Sequence, residues 1–179
     1  TLGWIKDSGI SREFGGHTKL AIENCNEIII SPGVPWDEPI LRTARERNIP
    51  VISELEFAAR NLSIPIVAVT GTNGKTTTTS LISAICSRAG LKAPPAGNIG
   101  LPASELIGTP IDLAILEVSS FQLEGAVTFH PKVAVLLNIT PDHIDRHTTI
   151  EGYTTIKKRV FQHQRGDDFA IWNAEDPVV

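Results

Sequence analysis

The segment Ile64-Pro65-Ile66-Val67-Ala68-Val69-Thr70-Gly71-Thr72-Asn73-Gly74-Lys75-Thr76 decides the fold of this 179-residue chain. It begins as an apolar run, typical of a strand that is covered on both faces of a parallel sheet. A glycine-rich turn follows, and then a helical stretch that runs to about Ala89 and stops at Gly90. Such a turn between a strand and a helix lets backbone N–H groups surround phosphate oxygens. The segment therefore predicts a phosphate-binding loop.

Two side chains of this loop have the chemistry that nucleotide binding requires. Lys75 can neutralise charge on the β- and γ-phosphates, and the Thr76 hydroxyl can coordinate Mg²⁺. The standard pattern has a glycine five positions before Gly74, where this chain has Val69, so the loop is a variant. An ordinary strand–turn–helix connection rich in Gly and Thr is the alternative interpretation.

The remainder of the chain alternates short apolar runs with helical patterns. We predict strands at 27–31, 50–53, 113–118, 133–137 and 169–172, and helices at 38–48, 54–60 and 150–163. Ser53 is expected to cap the second helix, with Glu56 placed as in a capping box. The alternation predicts an α/β fold with a doubly wound parallel sheet. A boundary near residue 62 would divide the chain into parts 1–62 and 63–179.

Composition narrows the class of protein. Hydrophobic residues make up 41% of the chain, which suits a folded core rather than disorder. The 16 basic and 20 acidic residues give a net charge of −4, which disfavours a nucleic-acid binder. No apolar run approaches ~18 residues, so we expect no membrane span. The chain begins with Thr1 and contains no methionine, so we expect a processed protein or a fragment.

Polar residues follow the predicted strands at their carboxyl ends, where open α/β sheets bind ligands. They are Ser31, Glu117 and Asn138, with Asp142, His143 and Asp145 just beyond the last of these. A carboxylate beside a phosphate loop suits Mg²⁺, so Glu117 is a candidate ligand, and a solvated strand end is the alternative. For His143, a metal ligand, a phosphate or sugar contact and a surface histidine all stay open.

A lysine lies on the apolar side of the last predicted helix. At ~100° per residue, Lys157 falls between Tyr153 and Phe161 on the helical wheel. Burial would lower the pKa of this lysine and favour the neutral amine, which can react with CO₂ to form a carbamate. The carbamate oxygens could bind a second Mg²⁺. The alternative is a stem that carries its ammonium out to water.

Together these motifs resemble the Mur ligases and folylpolyglutamate synthetases. Residues 67–77 resemble the ATP loop of that group, and Ser31-Pro32-Gly33 resembles a loop that touches the UDP-sugar. Gly97-Asn98-Ile99-Gly100-Leu101-Pro102 and residues 116–124 resemble the D-glutamate-adding members in particular. Residues 138–146 match the next block, and residues 153–159 match the helix that carries the family's carbamylated lysine.

The resemblance implies a Rossmann-like UDP-substrate-binding part over residues 1–62 and a P-loop-type central ATPase domain over residues 63–179, both incomplete. It implies an ATP- and Mg²⁺-dependent ligase that adds D-glutamate to UDP-N-acetylmuramoyl-L-alanine through an acyl phosphate. Peptidoglycan precursor synthesis, cell shape and cell division are the implied setting, and a cytoplasmic monomer is the implied form. The adenine, uridine and D-glutamate contacts would lie outside this chain, so we expect it to be inactive alone.

The resemblance also assigns roles to individual residues. The ATP loop would comprise Gly71, Thr72, Asn73, Gly74, Lys75, Thr76 and Thr77. The catalytic set would be Lys75, Glu117, His143 and Lys157. Thr76 and Glu117 would hold one Mg²⁺, and His143 with carbamylated Lys157 would hold the second. Ser31, Asn98, Ser119 and Gln122 would face the UDP-N-acetylmuramoyl substrate.

Other functions compete with this one. Another Mur ligase, adding meso-diaminopimelate or lysine, or a folylpolyglutamate synthetase is the first alternative, and the 119–124 segment disfavours it. A P-loop GTPase would need an Asn-Lys-x-Asp guanine-binding motif, which the sequence lacks. A nucleotide-binding module without catalysis is the third alternative.

Overall fold

The structure is a computed structural model that describes residues 9–142 and 144–179, with the side chains of residues 19, 20, 144 and 145 left out. The strands are β1 (Ile28–Ile30), β2 (Val51–Ser53), β3 (Ile66–Thr70), β4 (Pro95–Gly97), β5 (Ala114–Glu117), β6 (Val133–Leu136) and β7 (Phe169–Trp172). The α-helices are α1 (Pro39–Glu46), α2 (Glu54–Asn61), α3 (Lys75–Arg88), α4 (Ser120–Glu124), α5 (Ile144–His147) and α6 (Ile150–Lys158). Short 3₁₀ helices lie at Lys19–Ile22, Ala103–Leu106 and Arg159–Phe161.

Five strands form a parallel sheet in the order β4-β5-β3-β6-β7. The central strand β3 leads into the predicted phosphate loop, and β5 and β6 flank it. Val69 and Gly97 both pair with Glu117, so this carboxylate ends β5 beside two neighbouring strands. The α/β class and the parallel sheet are therefore confirmed, and the expected ligand edge lies at the carboxyl ends of β3, β5 and β6.

Both faces of the five-stranded sheet are buried, as the unbroken apolar strands predict. Ile66 and Ala68 face a cluster that includes Leu55, Leu123 and Phe129. The alternate residues of β3 face a second cluster, which contains Val67, Val69, Ile115 and Val135 and against which Ile82 and Cys86 of α3 pack. Burial on both sides explains why these strands lack the polar alternation of a half-exposed sheet.

The edge strand β7 differs from its neighbours. Phe169, Ile171 and Trp172 are each at least half exposed. The strand pairs in parallel with β6 through Val133↔Phe169 to Leu136↔Trp172. The strand β7 is therefore held by backbone hydrogen bonds to β6, and its side chains are exposed to solvent.

The chain divides into two compact units, which we describe separately. The first comprises described residues 9–28 and 35–51, and the second comprises residues 29–34 and 52–179. In the first unit, Arg45 of α1 donates to the backbone oxygen of Trp36 and lies 4.6 Å from the centre of its ring. Strands β1 and β2 form a two-stranded sheet. The functional boundary near residue 62 stays a prediction.

Three local expectations needed correction. Ser53 caps α2 by accepting from Glu56 N, but the Glu56 carboxylate turns away from the cap. It accepts instead from Val127 N, Thr128 N and Oγ1, and Arg60 Nε. Burial raises the pKa of Glu56, but these hydrogen bonds outweigh that effect and hold the pKa below its usual value. Tertiary donors therefore outcompete the local capping box.

The other two corrections concern element boundaries. The helix expected over 150–163 ends as an α-helix at Lys158 and tightens into a 3₁₀ turn. Strand β4 and helix α4 were not expected, because neither has a periodic apolar pattern. In the described part of the chain, no helix is long and apolar enough to cross a membrane.

Candidate functional site

The phosphate loop turns sharply at two glycines with positive φ. Gly71 has φ 146° and Gly74 has φ 82°, and α3 begins directly after Gly74. A Cβ atom on Gly71 would lie 3.0 Å from Leu137 Cβ and 3.3 Å from the backbone of Asn138. The loop therefore passes close against the end of β6, which only glycine permits. Asn73, Gly74, Thr76 and Thr77 are exposed, so this end of α3 is open to a ligand.

Lys75 is the first residue of α3, and its side chain folds back onto the phosphate loop. Its Nζ donates to the backbone oxygen of Thr72 at 2.8 Å. The ammonium therefore lies above the loop, beside the unpaired N–H groups of the helix start. This combination of a cation and a helix N-terminus is suited to binding phosphate.

Glu117 joins two of the predicted site residues. Its Oε2 accepts from Thr76 Oγ1 at 2.7 Å, and its Oε1 accepts from Asn98 Nδ2 at 2.9 Å. The residue is only 3% exposed, so the alternative of a solvated strand end is wrong. The Thr76 hydroxyl and the Glu117 carboxylate place two oxygen atoms side by side, and oxygen atoms are the ligands that Mg²⁺ prefers.

Lys157 is buried on α6, with 1% of its surface exposed, so its stem does not carry the ammonium to water. Its Nζ donates to Gly71 O at 2.8 Å and lies 4.7 Å from the centre of the Tyr153 ring. Burial, and to a smaller extent nearby Lys75, lower the pKa of Lys157 to about 7, and Asp142 opposes the shift. A large fraction of this amine is therefore neutral near pH 7.

His143 lies outside the described residues, so its predicted metal role stays a prediction. Its described neighbour Asp142 acts electrostatically on Lys157, so Asp142 lies near the phosphate loop. Among the described residues, no three His, Cys, Asp or Glu side chains form a metal cluster. The candidate donors for Mg²⁺ among the described residues are the Thr76 hydroxyl and the Glu117 carboxylate.

Three of the four predicted substrate residues line one cleft. The cleft has a volume of about 420 Å³ and is lined by Ser31, Pro32, Glu54, Gly97, Asn98, Pro102, Ser104 and Gln122. Ser119, the fourth, caps α4 in a reciprocal capping box with Gln122. Ser119 therefore fixes the helix that presents Gln122, rather than lining the cleft itself.

Sequence reasoning missed several residues that hold this region together. Arg146 donates from Nη2 to Glu124 Oε2 at 2.6 Å and to Val34 O at 3.2 Å. His147 Nε2 lies 2.9 Å from Ser120 Oγ, and the ring is buried against Phe121 and Tyr153.

Two further residues contact the phosphate loop itself. Tyr153 Oη lies 3.3 Å from Thr72 Oγ1, and Asn138 bonds to Asn73. Tyr153 precedes Lys157 by four residues, one helical turn, which was the available signal for it.

The same chain matches known proteins along most of its length. The family description "Mur ligase middle domain" matches residues 69–179. The chain belongs to the Mur ligase family. The predicted family is thereby confirmed.

Individual Mur ligases show how much of such a protein the chain represents. It is 46% identical over 177 residues to the UDP-N-acetylmuramoylalanine–D-glutamate ligase of Thermoanaerobacter sp. (strain X514) and 48% identical over 178 residues to that of Koribacter versatilis. Each match covers 98% of this chain and 39% of the relative. The chain thus spans about two fifths of the length of these Mur ligases.

Solved Mur ligase structures share the fold at lower identity. The UDP-N-acetylmuramate:L-alanyl-γ-D-glutamyl-meso-diaminopimelate ligase of Neisseria meningitides matches with a TM-score of 0.61 and 17% identity, over 89% of this chain and 56% of that one. The MurF ligase of Thermotoga maritima, solved in complex with ADP, matches with a TM-score of 0.55 and 20% identity, over 87% of this chain and 45% of that one. At these identities the likeness supports the fold alone.

Proposed function

We propose that this chain is the nucleotide- and metal-binding part of a longer ligase that adds D-glutamate to UDP-N-acetylmuramoyl-L-alanine. The observation that carries the proposal is the Glu117 carboxylate, which bonds Thr76 of the phosphate loop and Asn98 of the cleft. One buried group therefore joins a nucleotide-binding element to a candidate substrate site. The names of the relatives that are 46% and 48% identical support D-glutamate as the amino acid.

The reaction would proceed in two chemical steps. ATP would phosphorylate the carboxylate of the muramoyl-alanine substrate, and the D-glutamate amine would then displace phosphate from the acyl phosphate. Phosphoryl transfer depends mainly on positioning and on charge neutralisation. Lys75 and the N–H groups of residues 71–77 would hold the ATP phosphates. Thr76 and Glu117 would hold Mg²⁺, which neutralises phosphate charge when it is bound.

Lys157 would supply a second group to the metal site. Its neutral amine can add to CO₂, forming a C–N bond and releasing one proton, and the resulting carbamate is an anion with two oxygens. The low pKa of Lys157, caused first by burial, supports this reaction near pH 7. The carbamate and His143 would then hold a second Mg²⁺.

The cleft beside Glu117 would bind the muramoyl end of the UDP substrate. Ser31, Asn98 and Gln122 line it, and Ser119 would orient Gln122 through the capping box. Residues 1–62 would belong to the UDP-substrate domain and residues 63–179 to the central ATPase domain. The remaining contacts to uridine, adenine and D-glutamate would come from other parts of a cytoplasmic, monomeric protein.

The experiment is an assay of phosphate release by the full-length ligase that contains this chain. ATP, Mg²⁺ and UDP-N-acetylmuramoyl-L-alanine are supplied with D-glutamate, meso-diaminopimelate or L-lysine in parallel reactions. We expect release that depends on D-glutamate alone. Release with one of the other amino acids instead would favour a different Mur ligase, and nucleotide binding without any release would favour a non-catalytic module.

A further inference from the structure

We propose that Asn138 is a positioning residue that holds the phosphate loop in the shape that binds nucleotide. The proposal rests on the proposed function in one respect, namely that the loop binds ATP. It concerns residues 138–140, which follow β6 and which we name the loop clamp. None of the catalytic, metal-binding, nucleotide-binding or substrate-binding roles assigned above belongs to these residues.

The loop clamp is hydrogen-bonded to the tip of the phosphate loop at both of its ends, through Asn138 and Thr140. Asn138 O accepts from Thr72 N at 2.9 Å. Thr140 N donates to Thr72 Oγ1 at 3.0 Å, and that hydroxyl lies 3.2 Å from Thr140 O. Asn73 Nδ2 reaches Thr140 Oγ1 at 3.5 Å. Residues 72 and 73 are thus held by a neighbouring strand end as well as by α3.

The Asn138 side chain makes the most specific of these contacts. Its Oδ1 accepts from Asn73 N at 2.9 Å, and its Nδ2 donates to Asn73 O at 3.0 Å. The two partners are one donor and one acceptor of the same backbone residue. Among side chains as long as that of Asn138, only the amide carries both an acceptor for Asn73 N and a donor for Asn73 O. A carboxylate lacks the donor, and an aliphatic chain lacks both.

This contact matters because a phosphate loop works through its backbone. Glycines at 71 and 74 give the loop its shape. They also allow the loop backbone many other conformations, because glycine is conformationally permissive. A side chain that fixes Asn73 between those glycines reduces the ordering that nucleotide binding would otherwise require. Removing it should therefore weaken nucleotide binding more than it affects the other substrates.

The test compares Asn138→Ala and Asn138→Asp with wild type in the full-length protein, with Asn61→Ala as the matched control. Asn61 also donates one side-chain hydrogen bond, to Phe57 O at 2.8 Å, but lies at the end of α2. In Asn138→Ala, we expect the Asn73 amide hydrogen to exchange about tenfold faster and ADP to bind about tenfold more weakly. We expect the KM for ATP to rise more than kcat falls, and Asn61→Ala to behave as wild type.

Asn138→Asp separates positioning from a general loss of packing. It retains the acceptor for Asn73 N, so we expect the slow exchange of that amide to be restored in this variant. Unchanged Asn73 exchange and unchanged ADP affinity in folded Asn138→Ala would overturn the proposal. So would fast exchange in Asn138→Asp equal to that in Asn138→Ala. Failure of the D-glutamate assay in wild type would refute the proposed function and leave these two measurements to decide the role of Asn138.

Discussion

The Nζ atom of Lys157 lies 2.8 Å from the backbone oxygen of Gly71, the residue at which the phosphate loop leaves β3. A helix that begins 75 residues after Lys75 along the chain therefore delivers an amine to the same loop. Because Lys157 is buried and Lys75 is near, the pKa of Lys157 falls to about 7. The amine is held between a carbonyl oxygen and an aromatic ring and is buried.

The first prediction concerns stability and pH. Below about pH 7 Lys157 is protonated in both the folded and the unfolded protein, so the folded state bears the full unfavourable effect of a buried ammonium. Between about 7 and 10.5 the unfolded state holds a proton that the folded state releases, so stability rises by up to about 1.4 kcal/mol per pH unit. Above about pH 10.5 the lysine is neutral in both states, so it no longer makes the stability depend on pH.

Lys157→Met lacks that titration and provides the comparison. In CO₂-free buffer without nucleotide, we expect Lys157→Met to be the more stable form near neutral pH, with an advantage that shrinks as the pH rises. Thermal unfolding midpoints at about pH 7 and about pH 9.5 measure it. Lys158→Met, at an exposed neighbouring position, should show no such trend. A constant difference between wild type and Lys157→Met would contradict the low pKa.

The second prediction tests the carbamate. Lys157→Ala should lower ligase activity at least roughly 100-fold, since it removes an electrostatic group from the phosphate site. Short-chain carboxylates such as acetate should restore part of the activity, because they offer two oxygens where the carbamate would be. The measurement is phosphate release with increasing acetate, with Lys158→Ala as the control. Full activity of Lys157→Ala would mean that the lysine is only structural.

The third prediction compares Gly97, the last residue of β4, with Gly100, which follows that strand. A Cβ atom on Gly97, at φ 95°, would lie 2.3 Å from Glu117 O, whereas Gly100, at φ 64°, has no neighbouring atom within 4 Å. Gly100→Ala should cost only the backbone strain of about 1–2 kcal/mol. Gly97→Ala should lower the free energy of unfolding by several kcal/mol more, since backbone must move. Denaturant titration of both variants measures the difference, and equal losses would contradict the close approach.

The fourth prediction concerns the ion pair between Arg146 and Glu124. Their side chains are 20% and 11% exposed, and the Nη2–Oε2 distance is 2.6 Å. A double-mutant cycle with alanine at both positions should yield a coupling free energy of about 1–2 kcal/mol in unfolding experiments. The pair Lys132–Asp167 is the control, because its side chains are 40% and 77% exposed and its coupling should be much smaller. Similar couplings for both pairs would contradict the role of burial.

Sequence reasoning succeeded where a residue's environment follows from its own neighbours. The sharp turn at residues 71–74 was predictable because its glycines occur between a buried strand and a helix. Helical periodicity placed Lys157 on the apolar side of its helix, but it left open a stem that carries the ammonium out to water, and only the burial of the side chain decides against that alternative.

Sequence reasoning failed where a residue's partners lie in distant parts of the chain. Strand β4 contains Pro95-Ala96-Gly97, which has no strand-like pattern and is ordered by pairing with β5. Glu56 leaves its own capping box because residues 127 and 128 offer more donors. The partnership of Asn138 with Asn73 spans 65 residues of sequence, and no periodic signal connects them.

The carboxylate of Glu117 has one oxygen for Thr76 and the other for Asn98. If a ligand displaced one of these two donors, the charge on the shared carboxylate would be less well neutralised. The hydrogen bond from the other donor would then change in strength. Under the proposed function, the affinities of the two sides would therefore be linked. Linkage is reciprocal: any factor by which nucleotide alters binding in the cleft would be the factor by which the cleft's occupant alters binding of nucleotide. An inhibitor designed for the cleft alone would therefore have an affinity that varies with the concentration of nucleotide in the cell.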